Sequence, residues 1–266
     1  QFDSIVGYWK MDRSWEDSVG STDGTPLNTP GFTASSKVGP FAGTFTESNA
    51  DSIDFLDSLD ILGGGISISA WIKPVSFTND YSGILSKFGS GGNYRFILRS
   101  SGRLSFTIRA SGGAAEDLAV DAADAVPLNL WTHVVATFDD SATGKIYING
   151  VLRKTKSDFT VIRGDTASPL RIGYNPNNGA AYFDGDLDDI ALWNSELSES
   201  DVSTIYHRQK QAFAGHYDTP IIDTGNDSSS WTDFSWIPDL PYFKMLIGSS
   251  NSESTTDYSS ISRSTT

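Results

Sequence analysis

Short stretches in which apolar and polar residues alternate recur along this chain. Residues 104–109 and 145–149 each place an apolar side chain at every second position. Because successive side chains of a β-strand point to opposite faces, this period of two predicts strands with one buried face. Turn-forming clusters rich in Gly, Asn, Asp and Ser separate such stretches, at residues 63–65, 89–93, 139–144 and 175–179. The pattern predicts an all-β, antiparallel sandwich or jelly roll.

Residues 183–206 break this simple alternation and end in a different element. A strand mixes core-type residues with two consecutive carboxylates, Asp188 and Asp189. Ser198 then stands at a helix N-cap position, with Asp201 three residues later as a weak capping box. The apolar residues that follow have helical spacing, which predicts one short helix ending near residue 211. The carboxylates among core residues call for a partner or a cation.

Composition limits the possible chemistry. The chain has 266 residues, 38% of them hydrophobic and 20% charged, which suits a folded protein. It has no cysteine, which excludes disulfides, thiolate metal sites and cysteine nucleophiles. The net charge of −14 argues against nucleic acid as a partner and would suit calcium. No apolar run approaches a membrane span and no leader is visible at Gln1, while abundant Ser, Thr, Asn and Gly favour a secreted or cell-surface protein.

Four sequence blocks resemble one family. Residues 183–206 (F-x-G-x-L-D-D-I-x-L-W-N), the hairpin in residues 131–151 (W-T-H-V-V-A-T-F, then Y-I-N-G), residues 66–74 (I-S-I-S-A-W-I-K-P) and residues 6–12 occur in the family's order. They resemble laminin-G-like and pentraxin domains of the concanavalin A-like lectin/glucanase superfamily. The resemblance implies a concanavalin A-like jelly roll over residues 1–211, closed by one short helix.

Residues 212–266 follow that predicted domain. They include a possible strand and an aromatic run, and they end in a stretch rich in Ser and Thr. So short a segment is thin for an independent domain without disulfides or metal. We expect it to be a β-rich extension of the sandwich or the beginning of a truncated following module. Its aromatic residues could also seal an interface, so an oligomer is possible.

The family resemblance also implies a structural calcium ion between the N-terminal loop and the closing strand. By that resemblance Asp17 is a side-chain ligand, the turn through Asp23 and Gly24 adds oxygen atoms, and Asp188 approaches from the last strand. Calcium takes six to eight oxygen ligands in flexible geometry, which such loops supply. The alternative is that Asp17 and Asp23 cap turns and Asp188 is solvated.

A set of arginines forms the main candidate for ligand binding. In the two predicted strands around residues 94–109, Arg95, Arg99, Arg103 and Arg109 fall on the parity opposite to the apolar residues, so we expect them on one sheet face. His133, Lys145 and Tyr147 would join them if their strands are neighbours. Guanidinium groups bind carboxylate or sulfate well, which suggests an anionic glycan. The alternative is a set of solvated positions that discourage edge pairing.

Loop residues complete the predicted binding surface. Candidates for sugar contacts are polar or aromatic and lie in predicted loops: Asn79, Asp80, Tyr81, Asn93, Asn177, Asn178 and Tyr182. The tryptophans, by contrast, are interpreted as core or packing residues, and these include Trp9, Trp71, Trp131 and Trp193.

No catalytic residue is predicted. The glutamate pair that glycosidases of this fold use is missing, although Asp184, Asp186 and Asp188 alternate along one strand and keep hydrolysis open as a minor hypothesis. Neither the three histidines nor any motif suggests a metalloenzyme or a serine hydrolase. We therefore expect a lectin-like module of a secreted or cell-surface bacterial protein, such as an adhesin. A protein-binding or structural adhesive module, and a polysaccharide hydrolase or lyase, stay as alternatives.

Overall fold

Two antiparallel sheets stack face to face in this protein. The computed structural model describes residues 4–61, 64–88, 93–109, 115–139, 142–159, 167–176, 181–210, 246–248 and 258–260. The chain divides into two units, Gln1–Lys210 and Gln211–Thr266. In the second unit the structure describes a single antiparallel pair of short strands. The division predicted at residues 211 and 212, and the nature of the segment after it, stay predictions because most of that segment lies outside the described residues.

The strands of the sandwich are short, as the turn clusters predict. Numbered along the chain, they are β1 (Ile5–Trp9), β2 (Thr25–Leu27), β3 (Gly31–Thr33), β4 (Ala42–Phe45), β5 (Ser52–Asp54), β6 (Ile66–Pro74), β7 (Ser82–Lys87), β8 (Tyr94–Leu98), β9 (Leu104–Arg109), β10 (Ala115–Ala119), β11 (Thr132–Phe138), β12 (Gly144–Ile148), β13 (Val151–Lys156), β14 (Arg171–Ile172), β15 (Tyr174–Asn175), β16 (Ala181–Tyr182) and β17 (Gly185–Trp193). The pair in the second unit is β18 (Leu246–Gly248) and β19 (Tyr258–Ser260).

Eight of these strands form one sheet and seven form the other. The eight-stranded sheet has the order β13-β12-β11-β6-β17-β4-β3, with β1 also paired to β17. The seven-stranded sheet has the order β10-β9-β8-β7-β14-β5-β2. Both orders combine hairpin-connected neighbours with neighbours that are far apart in sequence, such as β6 beside β17 and β7 beside β14. These crossovers are typical of a jelly roll rather than of a simple meander. The predicted all-β, concanavalin A-like sandwich is confirmed.

The core lies between the inner faces of the two sheets and follows the predicted alternation. Leu104, Phe106 and Ile108 of β9 are buried, and they face Leu98, Phe96 and Tyr94 of β8 in register. From the other sheet, alternate residues of β6 and β11 complete this core, namely Ile66, Ile68, Ala70, Ile72, Val134, Ala136 and Phe138. Burial of these side chains is the main favourable term for the fold.

In the part of the chain that the structure describes, one α-helix covers the outer face of the eight-stranded sheet. Helix α1 spans Glu199–Lys210, and Ser198 caps it as predicted: its hydroxyl accepts a hydrogen bond from the amide of Asp201, whose carboxylate accepts one from the amide of Ser198. Val202 of the helix packs with Val135, Tyr147 and Trp193 in a second apolar layer. No helix in the described residues is long and apolar enough to cross a membrane.

A backbone irregularity in β17 explains why two carboxylates sit among core residues. Asp189 has a left-handed φ of 48°, and the pairing of β17 with β6 shifts register between Asp188 and Ala191. Because of this bulge, Leu187 and Ile190 both reach the core although they are three positions apart. Asp188 and Asp189 belong instead to the side of the sheet that carries α1.

The two carboxylates connect β17 to three other segments. Asp188 accepts hydrogen bonds from the amides of Lys37 and Val38, at 2.8 and 2.9 Å. Asp189 accepts one from the Tyr8 hydroxyl at 2.6 Å and one from the Gln209 amide of α1 at 3.1 Å. Burial, together with the nearby charge of Asp189, raises the pKa of Asp188 to about 8. Burial likewise raises the pKa of Asp189 to about 7.

The predicted calcium ligands do not come together as a metal site. Asp17 accepts hydrogen bonds from the amides of Tyr8, Val19 and Thr22, and its own amide donates to Asp23. Gly24 lacks a side chain for packing reasons, since a Cβ there would lie 2.3 Å from a methyl group of Ile53. Within the part of the chain that the structure describes, no three His, Asp or Glu side chains are placed to hold a metal ion.

This geometry does not fit a cation between the N-terminal loop and the closing strand. N–H groups pointing at a carboxylate already balance its charge, so Asp17 stabilises its loop directly. Asp188 accepts hydrogen bonds from the amides of residues 37–38, which are a different segment from the loop that holds Asp17 and Asp23. The turn-capping alternative describes Asp17 and Asp23 correctly, whereas Asp188 is buried rather than solvated. Calcium itself stays a prediction, without support from these four residues.

Replacing Asp17 tests the direct role of its carboxylate. Asp17→Ala leaves three backbone amides without their acceptor, so we expect the free energy of unfolding to fall by about 2–4 kcal/mol. Asp17→Asn keeps one acceptor oxygen and should lose less. Urea unfolding of the two variants and the wild type measures both values. The loss in Asp17→Ala should be the same in excess EDTA, because amides and not a cation depend on this carboxylate, and a loss that disappears in EDTA would contradict this account.

The raised pKa of Asp188 predicts a dependence of stability on pH. A carboxyl whose folded pKa of about 8 exceeds its ordinary 3.8 holds its proton more tightly in the folded state. Its contribution to stability is therefore complete below its ordinary pKa and is lost as the pH rises towards the folded value. Asp188→Asn removes this titration. The free energy of unfolding of the variant should therefore decline less than that of the wild type as the pH rises.

Measurement above pH 6.5 isolates this effect from that of His133. Burial lowers the pKa of His133 to about 3 from its ordinary 6.5, so its contribution falls as the pH drops below that ordinary value. Urea unfolding of the wild type and of Asp188→Asn is measured at several pH values above 6.5. The comparison is between the two slopes of the free energy of unfolding against pH. Equal slopes for the two proteins would contradict the prediction, because they would show that Asp188 is ionised in the folded protein over this whole pH range.

Candidate ligand-binding face

A row of polar side chains crosses the outer face of the seven-stranded sheet. Strand register aligns one residue from each of six neighbouring strands, and these are Asp117, Thr107, Arg95, Ser86, Arg171 and Asp54. The residues next to them in sequence, such as Phe96 and Phe106, point into the core. Side chains alternate across a sheet, so the whole row faces outward. We call these six residues the polar row.

Most members of the polar row bind one another. Arg95 donates from Nε to the Thr107 hydroxyl at 2.9 Å, and Thr107 in turn donates to the Asp117 carboxylate. Further along, Arg171 and Asp54 form an ion pair at 3.0 Å. Burial lowers the pKa of the Arg95 guanidinium, and the charge of Asp117 opposes this shift. The row is therefore an organised set of polar groups rather than separate solvated side chains.

Aromatic rings and arginines alternate across the same face. The Arg95 guanidinium lies 5.2 Å from the ring centre of Tyr81 and 4.3 Å from that of Phe88. Arg99 lies 4.1 Å from the Tyr81 ring, and Arg109 lies 4.5 Å from the Phe88 ring. We call this spatial series of side chains the arginine–aromatic ladder; in order, its members are Arg99, Tyr81, Arg95, Phe88 and Arg109. Each such contact is attractive and helps to fix the side chains.

One end of the ladder is anchored by an ion pair. Arg99 donates from Nε and Nη2 to the two carboxylate oxygens of Asp80, at 2.8 and 3.0 Å. This pairing raises the pKa of Arg99 and lowers that of Asp80. Tyr81 has a left-handed φ of 72°, an uncommon conformation for a bulky residue. Strain of this kind concentrates at binding sites, where the surrounding contacts enforce it.

A short tyrosine hairpin lies beside the ladder. The rings of Tyr174 in β15 and Tyr182 in β16 stack with their centres 4.4 Å apart. Asn175 is buried next to them and donates to the Tyr81 carbonyl at 3.2 Å. Gly83 in β7 permits this position, because a Cβ there would lie 2.3 Å from the backbone carbon of Tyr174. The face thus brings three tyrosines close to the polar row.

Most of the predicted ligand-binding residues meet on this face. Arg95, Arg99, Arg109 and Tyr81 belong to the ladder, as the parity argument predicts. Asn79 lies two residues before Tyr81, half-buried, and its amide nitrogen has no hydrogen-bond partner among the described residues. Whether these residues bind a ligand stays a prediction.

Other residues of that prediction lie elsewhere. Tyr147, His133 and Lys145 are in β12 and β11 of the eight-stranded sheet, so they cannot join the arginines. Tyr147 is buried in the apolar layer beneath α1. Arg103 donates to the carbonyl of Val120 and takes no part in the ladder. Asn93 is buried, while Asn177 and Asn178 lie outside the described residues.

Several members of the face were not identified from the sequence. Phe88, Thr107 and Asp117 acquire their place through strand register, and Tyr174 and Asn175 through a loop that folds back over β7. Alternation within one strand shows which residues share a face, but it does not show which residues on neighbouring strands stand opposite each other. One signal in the sequence could have indicated this register. Phe96 in β8 pairs with Phe106 in β9, and that alignment places Arg95 opposite Thr107.

The acidic residues of the hydrolysis hypothesis have structural partners. Asp186 pairs with Lys73 at 3.1 Å, and Asp184 accepts a hydrogen bond from the Ser76 hydroxyl at 2.7 Å. Asp188 binds the amides of residues 37 and 38 as described above. Asp186 and Asp188 do not lie on the face that carries the ladder, because β17 belongs to the other sheet, and Asp184 directly precedes β17.

Solved structures of the same fold resemble this chain. Domain 4 of AbnA, an extracellular arabinanase of Geobacillus stearothermophilus solved with arabinotriose, superposes with a TM-score of 0.61 at 20% identity, covering 76% of this chain and 98% of that domain. The binding domain of Paraclostridial Mosquitocidal Protein 1 superposes with a TM-score of 0.63 at 17% identity, covering 77% of this chain and 52% of that one. At these identities the likeness concerns the fold alone.

A third structure is the binding domain of botulinum neurotoxin DC in complex with SialylT. It superposes with a TM-score of 0.58 at 16% identity, covering 78% of this chain. The chain spans about half the length of these toxin binding domains, 52% in each case. No curated protein sequence matches the chain significantly.

A family model gives the assignment that these distant structures cannot. The laminin G model described as belonging to the concanavalin A-like lectin/glucanases superfamily matches residues 47–203, which is more than half of the chain. This range includes three of the four sequence blocks recognised above and most strands of both sheets. The chain therefore belongs to the laminin-G-like family of the concanavalin A-like lectin/glucanase superfamily.

Proposed function

We propose that this chain is a non-catalytic glycan-binding module whose ligand lies on the outer face of the seven-stranded sheet. The observation that carries the proposal is the arginine–aromatic ladder together with the polar row beneath it. Binding sites for small polar ligands combine apolar or aromatic surfaces with a few precisely held polar groups. Tyr81, Arg99 and Arg109 are the partly exposed members of the ladder and supply a ring and guanidinium groups, whereas Phe88 and Arg95 are buried and support them. The row and Asp80 supply carboxylates that accept hydrogen bonds from hydroxyls.

The chemistry of a sugar ring suits this face better than that of an apolar ligand. One side of a pyranose or furanose ring exposes C–H groups that pack on an aromatic ring, while its hydroxyls need charged or amide partners. Tyr81 and the stacked Tyr174 and Tyr182 are partly exposed, and each lies near an arginine or an asparagine. Two structures of the same fold were solved with arabinotriose and SialylT, and this shared fold supports the proposal.

The charge of the face narrows the class of glycan. Arg95, Arg99, Arg109 and Arg171 give four positive charges, and Asp54, Asp80 and Asp117 give three negative ones, so the balance is one positive charge. The Arg99 fork is already engaged by Asp80. This charge balance favours neutral or singly charged glycans over densely sulfated ones, and it narrows the anionic glycan expected from the sequence.

The biological setting follows from the same proposal. A module that recognises glycans suits a secreted or cell-surface protein, and the polar, cysteine-free composition is compatible with export. The arabinanase whose domain resembles this chain is described as extracellular. We propose that the chain attaches a bacterial surface or secreted protein to a glycan, as an adhesin does.

A glycan array with Tyr81 variants tests the proposal. We expect the wild type to bind at least one neutral or singly charged glycan, and Tyr81→Ala to bind it about tenfold or more weakly because the ladder loses its outer ring. Tyr81→Phe keeps the ring and should retain most of the affinity. Isothermal titration with the glycan found on the array measures the affinities.

Arginine variants supply a matched control. Arg99→Ala should weaken glycan binding, while Arg208→Ala, which removes an exposed arginine of α1 on the other sheet, should not. Folding of each variant is checked by its thermal melting curve. A folded wild-type protein that binds nothing on the array, but captures a protein partner through the ladder, would replace this proposal with the protein-binding alternative.

A further inference from the structure

A second cleft lies at the edge of the sandwich, away from the ladder. The segment before β11 and the turn between β12 and β13 enclose a volume of about 330 Å³. Pro127, Leu130 and Trp131 supply apolar surface, and the polar groups are Asp124, Asn149 and Arg153. The cleft shares no residue with the ladder or the polar row. Trp131, interpreted from the sequence as a packing residue, is partly exposed at this cleft.

Hydrogen bonds hold both walls of the cleft in place. On one wall, the amide of Asn129 donates to the Pro74 carbonyl at 2.7 Å, and the Trp131 indole donates to the Ser35 carbonyl at 3.2 Å. On the other wall, the Asn149 side-chain oxygen accepts from the amide of His133 at 3.0 Å. A site that is formed before its ligand arrives avoids the cost of ordering on binding.

The turn that carries Asn149 is itself fixed by its sequence. Asn149 and Gly150 both have left-handed φ values, 51° and 75°, and they join β12 to β13 as a two-residue hairpin. Asn-Gly is the preferred sequence for this turn. The Asn149 backbone amide also donates to the His133 carbonyl at 2.8 Å, so the side chain and the backbone of one residue both anchor the wall.

Exposed apolar side chains occur at the cleft, where Leu130 lines it, and close to its lining residues in sequence, where Leu128 and Val151 lie. We call these three residues the rim of the cleft. Leu130 is 60% exposed and Leu128 is 41% exposed. Val151, directly after the hairpin turn, is 52% exposed. These three account for half of the six large apolar residues that are exposed in the described part of the chain. Apolar patches that polar groups surround are typical of interaction surfaces.

From this combination we infer a second binding site, which takes one or two rings of a neutral saccharide. A sugar ring would pack its C–H face on Trp131 and Leu130 and would direct its hydroxyls at Asp124, Asn149 and Arg153. Asp124 and Arg153 face each other at 3.4 Å, so their charges balance and the cleft does not favour a phosphate or sulfate. The volume is near the lower end of the range for ligand pockets, roughly 300 Å³.

Nuclear magnetic resonance of the ¹⁵N-labelled protein tests this site separately from the ladder. The probes are lactose, maltose and cellobiose, and the readout is the indole N–H signal of Trp131, assigned by its loss in Trp131→Phe. We expect a saturable shift of this signal with at least one of these sugars. Asp124→Asn keeps the shape of the side chain and should weaken that binding about tenfold.

Variants of the other face make the result specific. Tyr81→Ala should leave the Trp131 shift unchanged, because Tyr81 lies outside the cleft. The inference fails if no probe moves the Trp131 signal, or if the shift persists undiminished in both Asp124→Asn and Arg153→Gln. It also fails if the signal depends on protein concentration instead of sugar, which would assign the rim of the cleft to contact with a second copy.

Discussion

The bulge at Asp189 is the constraint on which the closure of this sandwich depends. The last strand must deliver Leu187 and Ile190 to the core although their spacing has the wrong parity, and one extra residue in a left-handed conformation resolves the conflict. The two carboxylates displaced by this bulge then bind elements that come from elsewhere in the chain. Asp188 binds residues 37–38, and Asp189 connects β1 to α1 through Tyr8 and Gln209. A local irregularity thus organises long-range closure.

That closure decides which surface is left for a ligand. Gln209 also accepts a hydrogen bond from the Trp71 indole, so the end of α1 is attached to the outer face of the eight-stranded sheet at two points. His133 and Tyr147 are buried beneath this helix. The outer face of the seven-stranded sheet carries the short tyrosine hairpin. Among the described residues, the ladder lies beside this hairpin and not beneath a helix. The asymmetry between the two outer faces is the structural basis for placing the proposed glycan site.

Sequence patterns predicted the individual strands and the helix better than they predicted which of these elements contact one another. Alternation in residues 104–109 identified the inward and outward sides of β9, and Ser198 with Asp201 identified the start of α1, because both signals are local. The predicted calcium ligands and the predicted position of Tyr147 depended instead on which segments of the chain meet, and no local pattern shows this. Asp17 satisfies its charge with amides of its own loop and of β1, and Tyr147 belongs to the opposite sheet. Trp131 looked like a core residue because neither its hydrophobicity nor its motif reveals exposure at the edge.

Gly83 offers a way to follow the ligand face through related sequences. The tyrosine hairpin can lie over β7 only where that strand has no side chain, since even a methyl group would meet the backbone of Tyr174. A relative with a larger residue at this position would have to carry the hairpin elsewhere, and its outer face would have a different outline. One small residue that has no charge and no side-chain contact of its own could therefore separate members of the family that share this face from those that have evolved another.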